Sequence, residues 1–116
     1  KGCLLENFVF SELYKKINPL LDNLKYWRSK SGAEVDFVLE RQGKITGFEI
    51  KAGPARGKIT RSARSFISAY QPEHFFIINE QSYPELLINL TIVHFLLPED
   101  GLPVLSDPTH YDVKHP

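Results

Sequence analysis

Two carboxylates and a lysine stand near one another at the centre of the chain. Asp36 lies in Glu34-Val-Asp-Phe-Val-Leu-Glu40, and Glu49 and Lys51 lie in Ile45-Thr-Gly-Phe-Glu-Ile-Lys51. Both segments read as strands, joined by the turn Arg41-Gln-Gly-Lys44. A turn symmetric about Gln42-Gly43 places Val35 beside Ile50, Phe37 beside Phe48 and Leu39 beside Thr46, which makes one face apolar. The same register sets Asp36 opposite Glu49. Lys51 follows on that face, because a strand repeats its faces every two residues. Opposed Cβ atoms lie about 5 Å apart, where like charges repel. Such a pair needs a cation between its members, or a proton on one of them.

A divalent cation supplies a mechanism. Asp36, Glu49 and the backbone carbonyl of Ile50 are hard oxygen ligands suited to magnesium or manganese. A metal held there would polarise a phosphate and lower the pKa of a bound water. Lys51 would orient that water or stabilise the developing charge. Glu6, one turn into a leading helix, could reach the site as outer ligand or general base. Plainer accounts stand beside these. The two carboxylates could be solvated, Lys51 could pair with Glu34 across the strands, and Glu6 could simply favour a helix N-terminus.

The elements that must position these residues follow from periodicity. Residues 3–17 read as a helix with Leu5, Phe8, Val9, Leu13 and Ile17 at helical spacing, ended by Asn18-Pro19. Residues 24–29 read as a first strand, and the hairpin gives two more. After the loop Gly53–Gly57, a second helix is expected over Lys58–Tyr70, with Ile59, Ala63, Phe66, Ile67 and Tyr70 as its apolar stripe. His74–Asn79 reads as a strand buried on both faces. Tyr83–Leu87 reads as a short helix and Thr91–Leu97 as the last strand. The order α-β-β-β-α-β-β predicts an α/β (α+β mixed) fold, with a mixed central sheet of about five strands flanked by helices. Residues 1–97 form the domain, and 98–116 an irregular tail.

Composition narrows the context. The 116 residues fit one domain with a modest core. Lysine plus arginine equals aspartate plus glutamate, 14 each, so net charge does not point to nucleic acid. Cys3 is the sole cysteine, which rules out an internal disulfide, makes a reducing cytoplasm the default and suits a small buried apolar residue. No apolar run reaches membrane-spanning length. His74, His94, His110 and His115 lack metal-ligand spacing. The chain opens without Met and is already in helical rhythm by Leu4, so it reads as the C-terminal part of a longer protein. It contains no nucleotide-binding glycine loop.

The arrangement of Glu6 on a leading helix, Asp36 on one strand and Glu49-Ile-Lys51 on the next resembles the PD-(D/E)xK nuclease superfamily. Three stretches sharpen the resemblance: Gly2-Cys-Leu-Leu-Glu-Asn-Phe-Val-Phe-Ser-Glu12, Tyr26-Trp-Arg-Ser-Lys-Ser-Gly-Ala-Glu-Val-Asp-Phe-Val38 and Phe48-Glu-Ile-Lys-Ala-Gly53. Together they look like the C-terminal domain of prokaryotic predicted AAA-type ATPases. The resemblance covers roughly residues 1–79 and implies a restriction-endonuclease-like core. It further implies a metal-dependent hydrolase of nucleic acid, DNA ahead of RNA, in which Asp36 and Glu49 bind metal and Glu6 and Lys51 complete the catalytic set. The partner it implies within the same protein is an N-terminal, ATP-binding ATPase domain.

Contacts to substrate are less sharply marked. Arg28, Lys58, Arg61 and Arg64 could track phosphates or lie on solvated surfaces. Trp27 or Tyr26 could stack on a base, or serve as core or rim aromatics. Gln71 follows the second helix, where some nucleases of the superfamily carry an active-site glutamine. Two other readings remain: a catalytically silent nucleic-acid-binding or regulatory module of the ATPase, and a metal-free acidic interaction domain. Neither oligomeric state nor sequence specificity is legible.

Overall fold

In the computed structural model, residues 2–51 and 57–100 are described, with side chains from Asn7 onward. Helix α1 spans Gly2–Lys16, followed by β1 (Asp22–Arg28), β2 (Glu34–Arg41) and β3 (Lys44–Ile50). Helix α2 (Arg61–Tyr70) leads to β4 (His74–Ile78), β5 (Tyr83–Ile88) and β6 (Thr91–Leu96), and a short 3-10 turn covers Pro98–Asp100. The six strands form one mixed sheet in the order β1-β2-β3-β4-β6-β5. β4 runs parallel to both β3 and β6, and the other pairings are antiparallel. This is a mixed α/β fold with one strand more than the sequence predicts.

The extra strand is β5, where the sequence suggests a short helix. Asn89 adopts a left-handed φ of 54° and turns the chain, so that β5 returns antiparallel along β6. Pro84 is tolerated because β5 is an edge strand, and the pairing is irregular between Tyr83 and Leu86. Leucines 86 and 87 mimic a helical stripe yet are exposed. Tertiary pairing therefore overrides the local pattern.

The helices cover opposite faces of the sheet. Val9 and Leu13 of α1 pack on Phe37, Leu39, Phe48, Phe76 and Ile78. Ala63, Phe66 and Ile67 of α2 pack on Val35, Val38, Phe75, Ile77, Val93 and Phe95. Each large side chain fully buried this way stabilises the fold by about 1.5–3 kcal/mol. The predicted α1 stripe is only partly right. Phe8 is exposed, as are Phe10 and Tyr14, because apolar residues are spread over more than one face of this helix. Leu5 and Cys3 lie outside the residues whose side chains are described.

β4 is buried along Phe75–Ile78, as a central strand with both faces covered must be. Beside it, Gly47 permits a close approach. A Cβ there would meet Phe75 Cε2 at 2.6 Å and Phe66 Cε2 at 2.9 Å. Of the 98–116 tail, only the turn at Pro98–Asp100 falls within the described residues.

Candidate metal centre at the open end of the hairpin

The β2–β3 hairpin closes as the sequence predicts. Gln42 and Gly43 have φ of 51° and 80°, the left-handed values that a tight two-residue turn requires. Arg41 pairs with Lys44, Leu39 with Thr46 and Phe37 with Phe48.

Beyond Phe37 the expected register fails. β1 pairs Lys25 with Val38 and Trp27 with Val35, so Tyr26 alone opposes both Asp36 and Phe37. This is a β-bulge, and it shifts the start of β2 to the other phase. Val35 thereby joins Val38 in the cluster under α2, while Ile50 packs towards the α1 cluster. The expected pairing of Val35 with Ile50, and the ladder position of Asp36 opposite Glu49, are not made. Instead the Ile50 amide donates to Asp36 Oδ2 at 2.8 Å. The bulge turns the aspartate into an acceptor for the backbone next to Glu49, and its charge is felt at the Glu49 carboxyl.

Glu49 is half-buried at the end of β3. Its Oε1 accepts from the Thr60 hydroxyl at 2.8 Å, and that hydroxyl accepts from the Ala63 amide at 3.1 Å. Thr60 is thus both the N-cap of α2 and a partner of the candidate ligand. Burial raises the Glu49 pKa above the usual carboxylate value, opposed by the Thr60 hydrogen bond. The Asp36 charge raises it further, and the Lys51 charge lowers it. Glu49 therefore senses both other members of the predicted constellation.

Lys51 continues from β3 alongside the end of β4. Its amide donates to the Ile78 carbonyl at 2.9 Å, and its carbonyl accepts from Asn79 Nδ2 at 2.7 Å. Asn79 is fully buried, so its amide fixes the backbone of the lysine where strand pairing ends. The suggested Lys51–Glu34 pair is absent: Glu34 instead meets Arg28 Nη2 at 3.1 Å. The structure ties Ile50 to Asp36 through its amide. The Glu6 side chain lies outside the described residues, although its helix packs on the sheet.

The proposed substrate contacts separate. Arg61 and Arg64 are exposed near the start of α2, next to the Thr60–Glu49 link. Lys58 is exposed too, but it precedes the helix, because Thr60 rather than Lys58 begins it. Arg28 lies on edge strand β1. Trp27 lies edge-on to Phe66, with centroids 5.4 Å apart, and its Nε1 donates to the Tyr70 hydroxyl at 3.1 Å. That is the rim role, whereas Tyr26 is mostly exposed. Gln71 does not come to the site. It caps the C-terminal end of α2 with φ 47°, about 15 Å along the helix from Thr60.

Sequence reasoning missed Thr60 and Asn79. A threonine ahead of a helical stripe is a capping signal, hidden by starting the helix three residues early. Asn79 carries no such signal, because an asparagine after an apolar run reads equally as a turn residue.

The donor set fits a hard divalent cation in chemical type. The Asp36 charge lies close enough to raise the cost of ionising Glu49, and Glu49 Oε2 accepts no hydrogen bond among the described residues. No cluster of three or more His, Cys, Asp or Glu side chains suited to a metal occurs among the described residues. Any such centre draws further ligands from backbone, water or residues outside the described set.

A mixed α/β domain with an acidic pair and a lysine at the ends of adjacent strands defines the structural class. Residues 1–95 match the family described as "Domain of unknown function (DUF4143)", and the chain belongs to that family, which is often found with AAA ATPases. Two uncharacterised proteins, from Mycobacterium bovis and Mycobacterium tuberculosis, are each 34% identical over 85 residues. The match covers 72% of this chain and 19% of each relative, so the chain spans about a fifth of the length of the curated relatives it matches. No helix among the described residues is long and apolar enough to cross a membrane.

Proposed function

We propose that this domain is a metal-dependent, nuclease-like module with a restriction-endonuclease-like core, hydrolysing phosphodiester bonds in nucleic acid. The observation that carries the reading is the convergence at the open end of the hairpin. Asp36 accepts from the amide beside Glu49, and Glu49 titrates upward under burial and the Asp36 charge. A half-buried carboxyl beside a like charge is costly to ionise, and such cost is commonly retained where it serves a site. Magnesium or manganese held by Asp36 and Glu49 would polarise the phosphate and activate water. Lys51, on its clamped backbone, would orient the attacking water or stabilise negative charge on the phosphate. Glu6 would serve as outer ligand or base. Arg28, Arg61 and Lys58 would contact flanking phosphates.

In this reading the domain is appended to an AAA-type ATPase in a longer cytoplasmic protein, and DNA is preferred to RNA. The test is incubation with manganese of single-stranded, double-stranded and branched DNA and of RNA. Wild type should cleave at least one of these above the Asp36→Ala control. Equal background throughout would abandon hydrolysis for this domain.

A second reading, a catalytically silent nucleic-acid-binding or regulatory module of the ATPase, draws support from the even charge balance of 14 against 14. It also fits the lack of a three-ligand cluster among the described residues. Metal and nucleic-acid binding without cleavage, in the domain and in the full protein with ATP, would favour it.

A further inference from the structure

We propose that Thr60 is a positioning residue for Glu49, holding one carboxylate oxygen so that the other is presented to the cation. The inference rests on the metal-dependent reading above and adds the residue that orients its ligand. The Thr60 hydroxyl has one proton, and that proton goes to Glu49 Oε1 at 2.8 Å. An oxygen lone pair takes the Ala63 amide at 3.1 Å, so the hydroxyl is fixed from both sides. Thr60 itself is extended, with φ −70° and ψ 161°, at the head of a helix whose Ala63, Phe66 and Ile67 are fully buried. The anchor is therefore the sheet-packed helix, not a loose loop. Capping alone does not require this arrangement. Aspartate caps a helix as well as threonine does, but when ionised it cannot donate to a carboxylate. A hydroxyl meets both demands at once. Outer partners of this kind fix ligand orientation and typically change metal affinity by about 10- to 100-fold when removed.

The experiment compares manganese binding by calorimetry in wild type, Asp36→Ala, Thr60→Gly and Thr60→Ser, with the Glu49 carboxyl followed by carbon-13 NMR through a pH titration. Glycine is tolerated at an N-cap, at a cost of only a few tenths of a kcal/mol, so the Thr60→Gly protein should stay folded. Serine restores the hydroxyl. The expected result is manganese affinity about 10- to 100-fold weaker in Thr60→Gly and near wild type in Thr60→Ser, with the Glu49 titration moved upward only in the glycine variant. If wild type binds manganese and Asp36→Ala does not, but Thr60→Gly matches wild type, Thr60 is a helix cap only and this proposal is overturned while the metal reading stands. If wild type shows no binding beyond Asp36→Ala, the metal reading falls and takes this role with it. The Glu49 titration then still reports whether the hydroxyl governs that carboxyl.

Discussion

The two ends of the β2–β3 hairpin treat buried carboxylates in opposite ways. At the end nearer the turn, Asp22 has a fully buried side chain and is met by Arg41, whose Nη2 lies 2.6 Å from Oδ2. The Asn18 amide adds a further donor at 2.6 Å. The Arg41 hydrogen bonds hold the Asp22 pKa below the ordinary carboxylate value despite burial. At the open end the balance reverses, and burial together with the Asp36 charge raises Glu49. One end answers its negative charge with a guanidinium in place. At the other, the Asp36 charge adds to the cost of ionising Glu49 and the Lys51 charge offsets part of it. The first arrangement builds stability; the second keeps an electrostatic cost that an incoming cation would relieve.

The largest effect expected from breaking this contrast lies at the satisfied end. Asp22→Ala strands a half-buried arginine and should destabilise the fold by about 2–4 kcal/mol in urea unfolding. Metal binding per folded molecule should be unchanged. The sign of the pH effect follows from the lowered pKa. Asp22 contributes stability above its unfolded pKa and loses it as pH falls through the still lower folded value. Asp22→Asn should therefore flatten the acid limb of the stability curve.

At the open end, Lys51→Ala should leave manganese affinity near wild type and slow any hydrolysis by about 100-fold or more, read in single-turnover cleavage. A large loss of metal binding instead would mean that the lysine organises the site rather than acting in the reaction.

Gly47 lies between the two ends. Gly47→Ala forces a Cβ against the Phe75 and Phe66 rings, and overpacking of this kind costs about 1–3 kcal/mol. Thermal unfolding should show the loss, with the metal site affected only through reduced stability.

The smallest effect has the opposite sign. Glu49→Gln removes a carboxylate whose raised pKa disfavours the folded state at neutral pH, and it keeps an oxygen acceptor for Thr60. The metal-free variant should melt about 1–3 °C above wild type at pH 7, with the difference vanishing in acid. A variant less stable than wild type at pH 7 would show that Glu49 is as well satisfied as Asp22, and the contrast would collapse.

Much of this was legible in the residues, and the failures have physical causes. The hairpin turn, the Phe37–Phe48 pairing, both helices and the buried β4 follow from local pattern. The bulge opposite Tyr26 does not, because nothing in Val35-Asp-Phe-Val38 marks an extra residue. It is imposed by pairing with β1, and it replaces the expected opposition of Asp36 and Glu49 with a hydrogen bond from the Ile50 amide to Asp36. The sequence over β5 reads as a helix because an edge strand carrying Pro84 and exposed leucines has no alternation to show. For Trp27 and Gln71, residue type and chain order alone suggest a substrate contact, with a core or rim place as the other reading of Trp27. Packing assigns them to the rim and to the far end of α2.

The most direct test of the central claim is a manganese titration of the wild-type domain and of Asp36→Ala by calorimetry at neutral pH. A saturable site in wild type that Asp36→Ala abolishes is the predicted result. Identical titrations of the two proteins would contradict it, and would leave the open end as an acidic surface with no cation to gather.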